Sequence, residues 1–140
     1  MKVLIDTNII VDYISAREPF VEQADIIFDL CIDNRIDGCI AAHTITNLFY
    51  ILKNDLSVAN RKTTLLELCE MFTIIGLDSS KLIAGLENHE FHDFEDCLQH
   101  ECALEFNADY LITRNISDYK DSTIQAIEPI EFLKLFKYDK

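Results

Sequence analysis

The stretch Lys2-Val3-Leu4-Ile5-Asp6-Thr7-Asn8 decides the fold. Val3-Leu4-Ile5 is an apolar run too brief for a helix, and such a run is typical of a strand buried on both faces of a parallel sheet. Asp6-Thr7-Asn8 follows at once and offers N-cap chemistry for an apolar stretch through Tyr13 and Ile14. A strand that passes directly into a helix is the opening of a β-α-β unit.

Working outward, the same alternation continues along the chain. A second helix is expected from about Pro19 to Cys31, with Phe20, Ala24, Ile27 and Cys31 recurring at three or four residues. Asn34 to Asp37 is turn chemistry, and Gly38-Cys39-Ile40-Ala41 is the second strand. Thr44 to Lys53 reads helical, and Ser57 caps a longer helix to Met71 with Leu65, Leu68 and Phe72 inward. Thr73 to Leu77 is the third strand, and Asp78 or Ser79 starts a helix ending near Asn88. Asp93 to Phe106 is a helix with Phe94, Leu98, Cys102 and Phe106 four apart. Asp109 to Thr113 is the fourth strand, Thr123 to Ile127 the fifth, and Pro129 opens a last helix to Phe136. Alternating strands and helices mean right-handed crossovers, so the expected fold class is α/β: a three-layer α/β/α sandwich on a mostly parallel, roughly five-stranded sheet. The 140 residues are expected to form one domain, 1–140.

Composition excludes several function classes. Only three glycines are present, none in a GxGxxG or GxxxxGK setting, which argues against a dinucleotide site or a P-loop. Five cysteines without a CxxC pair read as free thiols in a reducing cytoplasm, not as structural zinc ligands. No apolar run approaches the ~18 residues of a membrane span. The formal charge of −13 repels nucleic acid at long range, so any nuclease reading must come from motifs.

Open parallel sheets place ligands at the carboxyl ends of their strands, and the polar residues there form a pattern. Asp6 follows strand one, and Asp93 and Asp96 lie on one face at the start of the helix leading into strand four. Asn115 and Asp118 follow strand four. Carboxylates gathered at one edge repel by ~4 kcal/mol per pair at 4 Å and an effective dielectric of 20. All-oxygen ligation without cysteine suits Mg²⁺ or Mn²⁺, which polarises a phosphodiester and lowers the pKa of a bound water. His89, His92 and His100 around Asp96 raise zinc as an alternative, but histidines near a loop are more often solvated. Arg61-Lys62 and Arg114 are the basic residues placed near a phosphate path. A phosphatase whose Asp6 is phosphorylated would want an aspartate two residues on, and Asn8 stands there.

Val3-Leu4-Ile5-Asp6-Thr7-Asn8, Asp93-Phe94-Glu95-Asp96-Cys97-Leu98-Gln99 and Ile112-Thr113-Arg114-Asn115 with Asp118-Tyr119 resemble, in order and spacing, the successive motifs of the PIN-domain family. Ala42-His43-Thr44-Ile45-Thr46-Asn47 and Pro129-Ile130-Glu131-Phe132-Leu133 extend the resemblance over nearly the whole chain. The resemblance implies a five-stranded parallel sheet and a metal-dependent endoribonuclease, often the toxin of a toxin–antitoxin pair. It maps the family's acids onto Asp6, Asp96 and Asp118, as catalytic residues and ligands of Mg²⁺ or Mn²⁺. Asn47 stands where the family usually has glutamate, and Asn115 where it often has aspartate. Asparagine offers a metal an oxygen but no charge. Asn8, Asn47, Asp93 and Asn115 are therefore auxiliary candidates that orient ligands or water, with Thr7 and Arg114 as candidate substrate contacts. The two asparagines also keep open a weakened PIN-like domain that binds RNA or protein without cutting. Expected partners are an RNA substrate, an antitoxin protein and a second copy of the chain, whose apolar helices Thr44–Lys53 and Ser57–Met71 would bury one face.

Overall fold

The computed structural model describes residues 1–137; the last three residues of the expected 1–140 domain lie outside the described residues. The elements run β1 (Lys2–Ile5), α1 (Thr7–Ile14), α2 (Val21–Ile32), β2 (Asp37–Ala41), α3 (Ala42–Ile51), α4 (Val58–Met71), β3 (Thr73–Ile75), α5 (Ser79–Glu87), α6 (Phe94–Phe106), β4 (Tyr110–Ile112), β5 (Gln125–Ile127) and α7 (Pro129–Lys137). Short 3₁₀ turns occupy Leu52–Asn54 and Ile116–Tyr119. All strand pairings are parallel, in the order β3-β2-β1-β4-β5, so β1 lies at the centre.

Period-two alternation divides the core into the two layers the sandwich requires. Val3, Ile5, Ile40, Ile112 and Ile127 point into a core closed by α1, α2, α3, α4 and α7. Leu4, Cys39, Ala41, Ile75 and Leu111 point the other way, onto Cys102, Ala103 and Phe106 of α6. Gly38 permits a close approach here: a Cβ on it would stand 2.9 Å from the Phe72 ring and 3.0 Å from the Cys31 sulfur.

The capping residues read from the sequence set the helix starts. Asp6, Ser57, Asp78 and Asp93 each accept a backbone N–H of the following helix through their side chains. Strands three and five are shorter than expected, Thr73–Ile75 and Gln125–Ile127, because only those residues pair with a neighbour. α2 begins at Val21 and not at Pro19, since Arg17 to Phe20 close a turn first. All five cysteines are free; four are buried and Cys69 is exposed. No helix among the described residues is long and apolar enough to cross a membrane.

Candidate active site

Asp6 is carried one residue past β1, where its N–H still donates to Ile112 O at 3.0 Å. Parity with Leu4 turns its side chain toward α6, and Thr113, in parity with Leu111, turns the same way. Thr113 Oγ1 therefore donates to Asp6 Oδ2 at 2.8 Å, while Thr7 N–H donates to Oδ1 at 2.7 Å. From α6, Gln99 Nε2 donates to Asp6 Oδ1 at 3.3 Å and to Thr44 Oγ1 of α3 at 2.9 Å. Asn8 Nδ2 adds a 3.4 Å contact to Oδ2. The carboxylate is thus buried and held from three elements.

Asp96 stands one turn before Gln99 on the same face of α6 and lines the same cleft of about 500 Å³ as Asp6. The Tyr119 hydroxyl donates to Asp96 Oδ1 at 3.2 Å and also favours the charged form of Asp6. Burial pushes the Asp6 carboxyl above its ordinary range, with a further upward push from the Asp118 charge. Asp96 is pushed up to about 7, by burial first and then by the charges of Asp93 and Asp6. Burial also raises the Tyr119 phenol, which therefore remains a donor. Two carboxylates that resist ionisation together form a place where a cation is welcome.

The other candidates fall around this pair. Asn47 and Asn115 line the cleft, and Asn47 Nδ2 donates to Glu95 Oε2 at 3.2 Å. Thr7 also lines it, although its hydroxyl is engaged with Thr44 at 3.0 Å. Asp93 is the N-cap of α6, accepting Asp96 N–H at 2.9 Å, and acts on Asp96 through its charge. Asp118 is exposed on the 3₁₀ turn and lines an adjoining groove of about 110 Å³ with Asp93 and Asp96. Its charge reaches both acids, but it does not line the main cleft.

Two basic residues expected near phosphate are committed elsewhere. Arg114 makes a two-point pair with buried Asp12, Nε to Oδ2 at 2.7 Å and a terminal nitrogen to Oδ1 at 3.1 Å, and lies 3.9 Å over the Phe20 ring. Arg61 is buried, donates to Phe49 O at 2.6 Å and stacks on that ring. His100 is not a solvated histidine: it is buried and its Nε2 meets Thr123 Oγ1 at 3.1 Å.

Sequence reasoning gave no role to Gln99, Thr113, Tyr119, Glu95 or Arg17. Gln99 had a usable signal, three residues after Asp96 on one helix face. Thr113 had another, as the first polar residue after β4. Nothing in the sequence pairs Glu95 with Asn47, or brings Arg17 to the cleft wall.

Among the described residues, no cluster of three or more His, Cys, Asp or Glu side chains could hold an ion. That disfavours zinc, which needs three or four close protein ligands. The donors present fit Mg²⁺ or Mn²⁺, which takes one or two carboxylates and keeps several waters. Gln99 Oε1, buried and without a hydrogen-bond partner, is a free acceptor beside Asp6 for such a hydrated ion.

The sequence profile of the PIN domain matches residues 2–117, and the chain belongs to the PIN-domain family. None of the curated protein sequences matches it. Among solved structures it is similar to FitAB bound to the IR36 DNA fragment, with a TM-score of 0.68 and 15% identity over 91% of this chain and 94% of that one. It is also similar to VapBC2 from Rickettsia felis bound to a DNA fragment from the promoter, with a TM-score of 0.64 and 19% identity over 91% of this chain and 98% of that one. VapBC-1 from nontypeable Haemophilus influenzae gives a TM-score of 0.63 and 16% identity over 93% of this chain and 99% of that one. At these identities the likeness concerns the fold.

Proposed function

We propose that this PIN domain is a Mg²⁺- or Mn²⁺-dependent endoribonuclease and the toxin of a toxin–antitoxin pair. The observation that carries the reading is the convergence of Asp6 and Asp96 on one cleft at the carboxyl edge of the sheet, with the Tyr119 hydroxyl donating to Asp96. Asp6 and Asp96 would hold the ion, with Asp118 acting on it through water or through its field. When bound, the ion would neutralise phosphodiester charge and lower the pKa of the attacking water.

The protein's own part is to hold these groups ready. Thr113, Gln99 and the Thr7 N–H lock the Asp6 carboxylate, so no rotamer search precedes binding. Tyr119 fixes Asp96 while remaining a proton donor. Asn47, Asn115 and Asn8 supply amide groups that orient water or a phosphate oxygen in the cleft. A chain of charge −13 needs help to approach RNA, and a bound cation inverts the local potential. The antitoxin half of the proposal is supported by the similarity to FitAB and VapBC2, both described as bound to DNA fragments.

The test is cleavage of single-stranded RNA with and without Mn²⁺, by the wild type and by Asp6→Asn. Metal-dependent cleavage by the wild type and none by the variant is expected; equal rates would place the activity elsewhere. A second reading, a PIN-like domain that binds RNA without cutting, is favoured by the Asn47–Glu95 contact, which leaves an amide where the family usually has an acid. RNA binding without cleavage in Mn²⁺ would select it.

A further inference from the structure

Beyond the two acids, the cleft walls carry groups of different chemistry. Its walls include Arg17, Tyr50 and Ile51 as well as Asp6, Glu95 and Asp96. Arg17 is the only lysine or arginine among its lining residues, and among the described residues its guanidinium has no ion pair or hydrogen-bond partner. Its backbone is fixed at the end of α1: Ala16 takes the left-handed conformation at φ 49°, and Arg17 N–H donates to Asp12 O at 3.0 Å. Tyr50 lies three residues after Asn47, on the same side of α3. It is 71% exposed, an unusual position for an aromatic ring that nothing covers. Its edge rests on Phe49, at 5.9 Å and 90°, and Phe49 is itself held beneath the Arg61 guanidinium at 4.3 Å. The ring is thereby steadied while remaining open to the cleft.

We propose that Arg17 and Tyr50 form a subsite for the nucleotide next to the scissile phosphate, Arg17 taking its phosphate and Tyr50 stacking on its base, so that the cleft selects single-stranded RNA. The proposal rests on the ribonuclease reading and names which residues give it its substrate preference. A free cation in an otherwise acidic wall is complementary to a phosphate, and a stacking ring within the same cavity is complementary to a base. The cleft volume of about 500 Å³ accommodates one nucleotide beside a hydrated ion. A base within a duplex has both faces covered by its neighbours, so only an unpaired base offers Tyr50 a face.

The chain contains no tryptophan, so Tyr50→Trp places a single indole reporter at the subsite. A short fluorescein-labelled single-stranded RNA and its blunt duplex are titrated in Ca²⁺, which supplies the cation the acidic cleft needs, and gels check that the RNA stays intact. Label anisotropy follows binding, and indole emission follows stacking. Single-stranded RNA should quench the indole saturably and the duplex should not. Tyr50→Ala should weaken single-strand binding by about 10-fold or more, with Tyr50→Phe restoring most of it. Arg17→Glu should weaken it as well and reduce the salt slope by about one. RNA that binds by anisotropy without quenching the indole would overturn the subsite, as would equal quenching by the duplex or no binding of either RNA. The two readings fail separately. Cleavage in Mn²⁺ with a silent indole removes the subsite and leaves the nuclease; a quenched indole without cleavage removes the nuclease and leaves the subsite.

Discussion

Arg114→Met should destabilise this protein far more than a surface arginine substitution. The Asp12 side chain is 1% exposed, and its two oxygens are met by the Arg114 guanidinium at 2.7 and 3.1 Å. Removing the arginine leaves a buried carboxylate on α1 without its cation. Breaking a buried pair in this way costs about 3–5 kcal/mol, a large part of the about 5–15 kcal/mol that holds a domain folded. Asp12→Asn should cost less, about 1–3 kcal/mol, because the guanidinium is 25% exposed and can turn toward solvent. The double variant Asp12→Leu/Arg114→Met removes both charges and should recover most of the loss. Urea unfolding of the four proteins, followed by far-ultraviolet circular dichroism, gives the cycle directly. An Arg114→Met midpoint equal to wild type would refute this reasoning. If that variant also lost RNA binding, Arg114 would return to the role of a substrate contact.

Asp96, raised to about 7, makes metal-free stability fall with pH. The folded state binds the proton more tightly than the unfolded chain, so the stabilisation is present at low pH and is lost between about pH 4 and 7. Three units would correspond to about 4 kcal/mol, and screening at this half-exposed site reduces that to about 2 kcal/mol; urea midpoints in EDTA should drop from pH 5 to pH 8, and a midpoint unchanged over that range would sink the argument. Asp6→Asn should raise stability in EDTA while abolishing Mn²⁺-dependent cleavage, as checked by melting and by RNA hydrolysis. Asn47→Glu sets a second carboxylate against Glu95, so it should lower stability without metal and tighten Mn²⁺ binding in calorimetry; unchanged affinity would place residue 47 outside the metal's reach. A self-paired chain should show twice the 16.2 kDa mass by light scattering at tens of micromolar, and a monomer mass would remove the homodimer.

The layer order of this protein and the start of its site were legible in the chain itself. Val3-Leu4-Ile5 reads as a strand buried on both faces, and Asp6 must then emerge at the carboxyl end of that strand. Ser57, Asp78 and Asp93 announce helix starts because a cap is a contact within four residues, which local sequence determines. The contacts that hold the Asp6 carboxylate in the candidate site are of another kind. Gln99 and Thr113 reach it across 93 and 107 residues, and Arg114 finds Asp12 across 102. Nothing in the local pattern separates Arg114, spent on a buried acid, from Arg17, which lines the cleft wall without an ion pair among the described residues. Sequence order governs periodicity and capping, which depend on near neighbours. Which charges are cancelled, which carboxylates resist ionisation and which cations line the cleft depend on distances that exist only once the parallel sheet has brought its strand ends side by side.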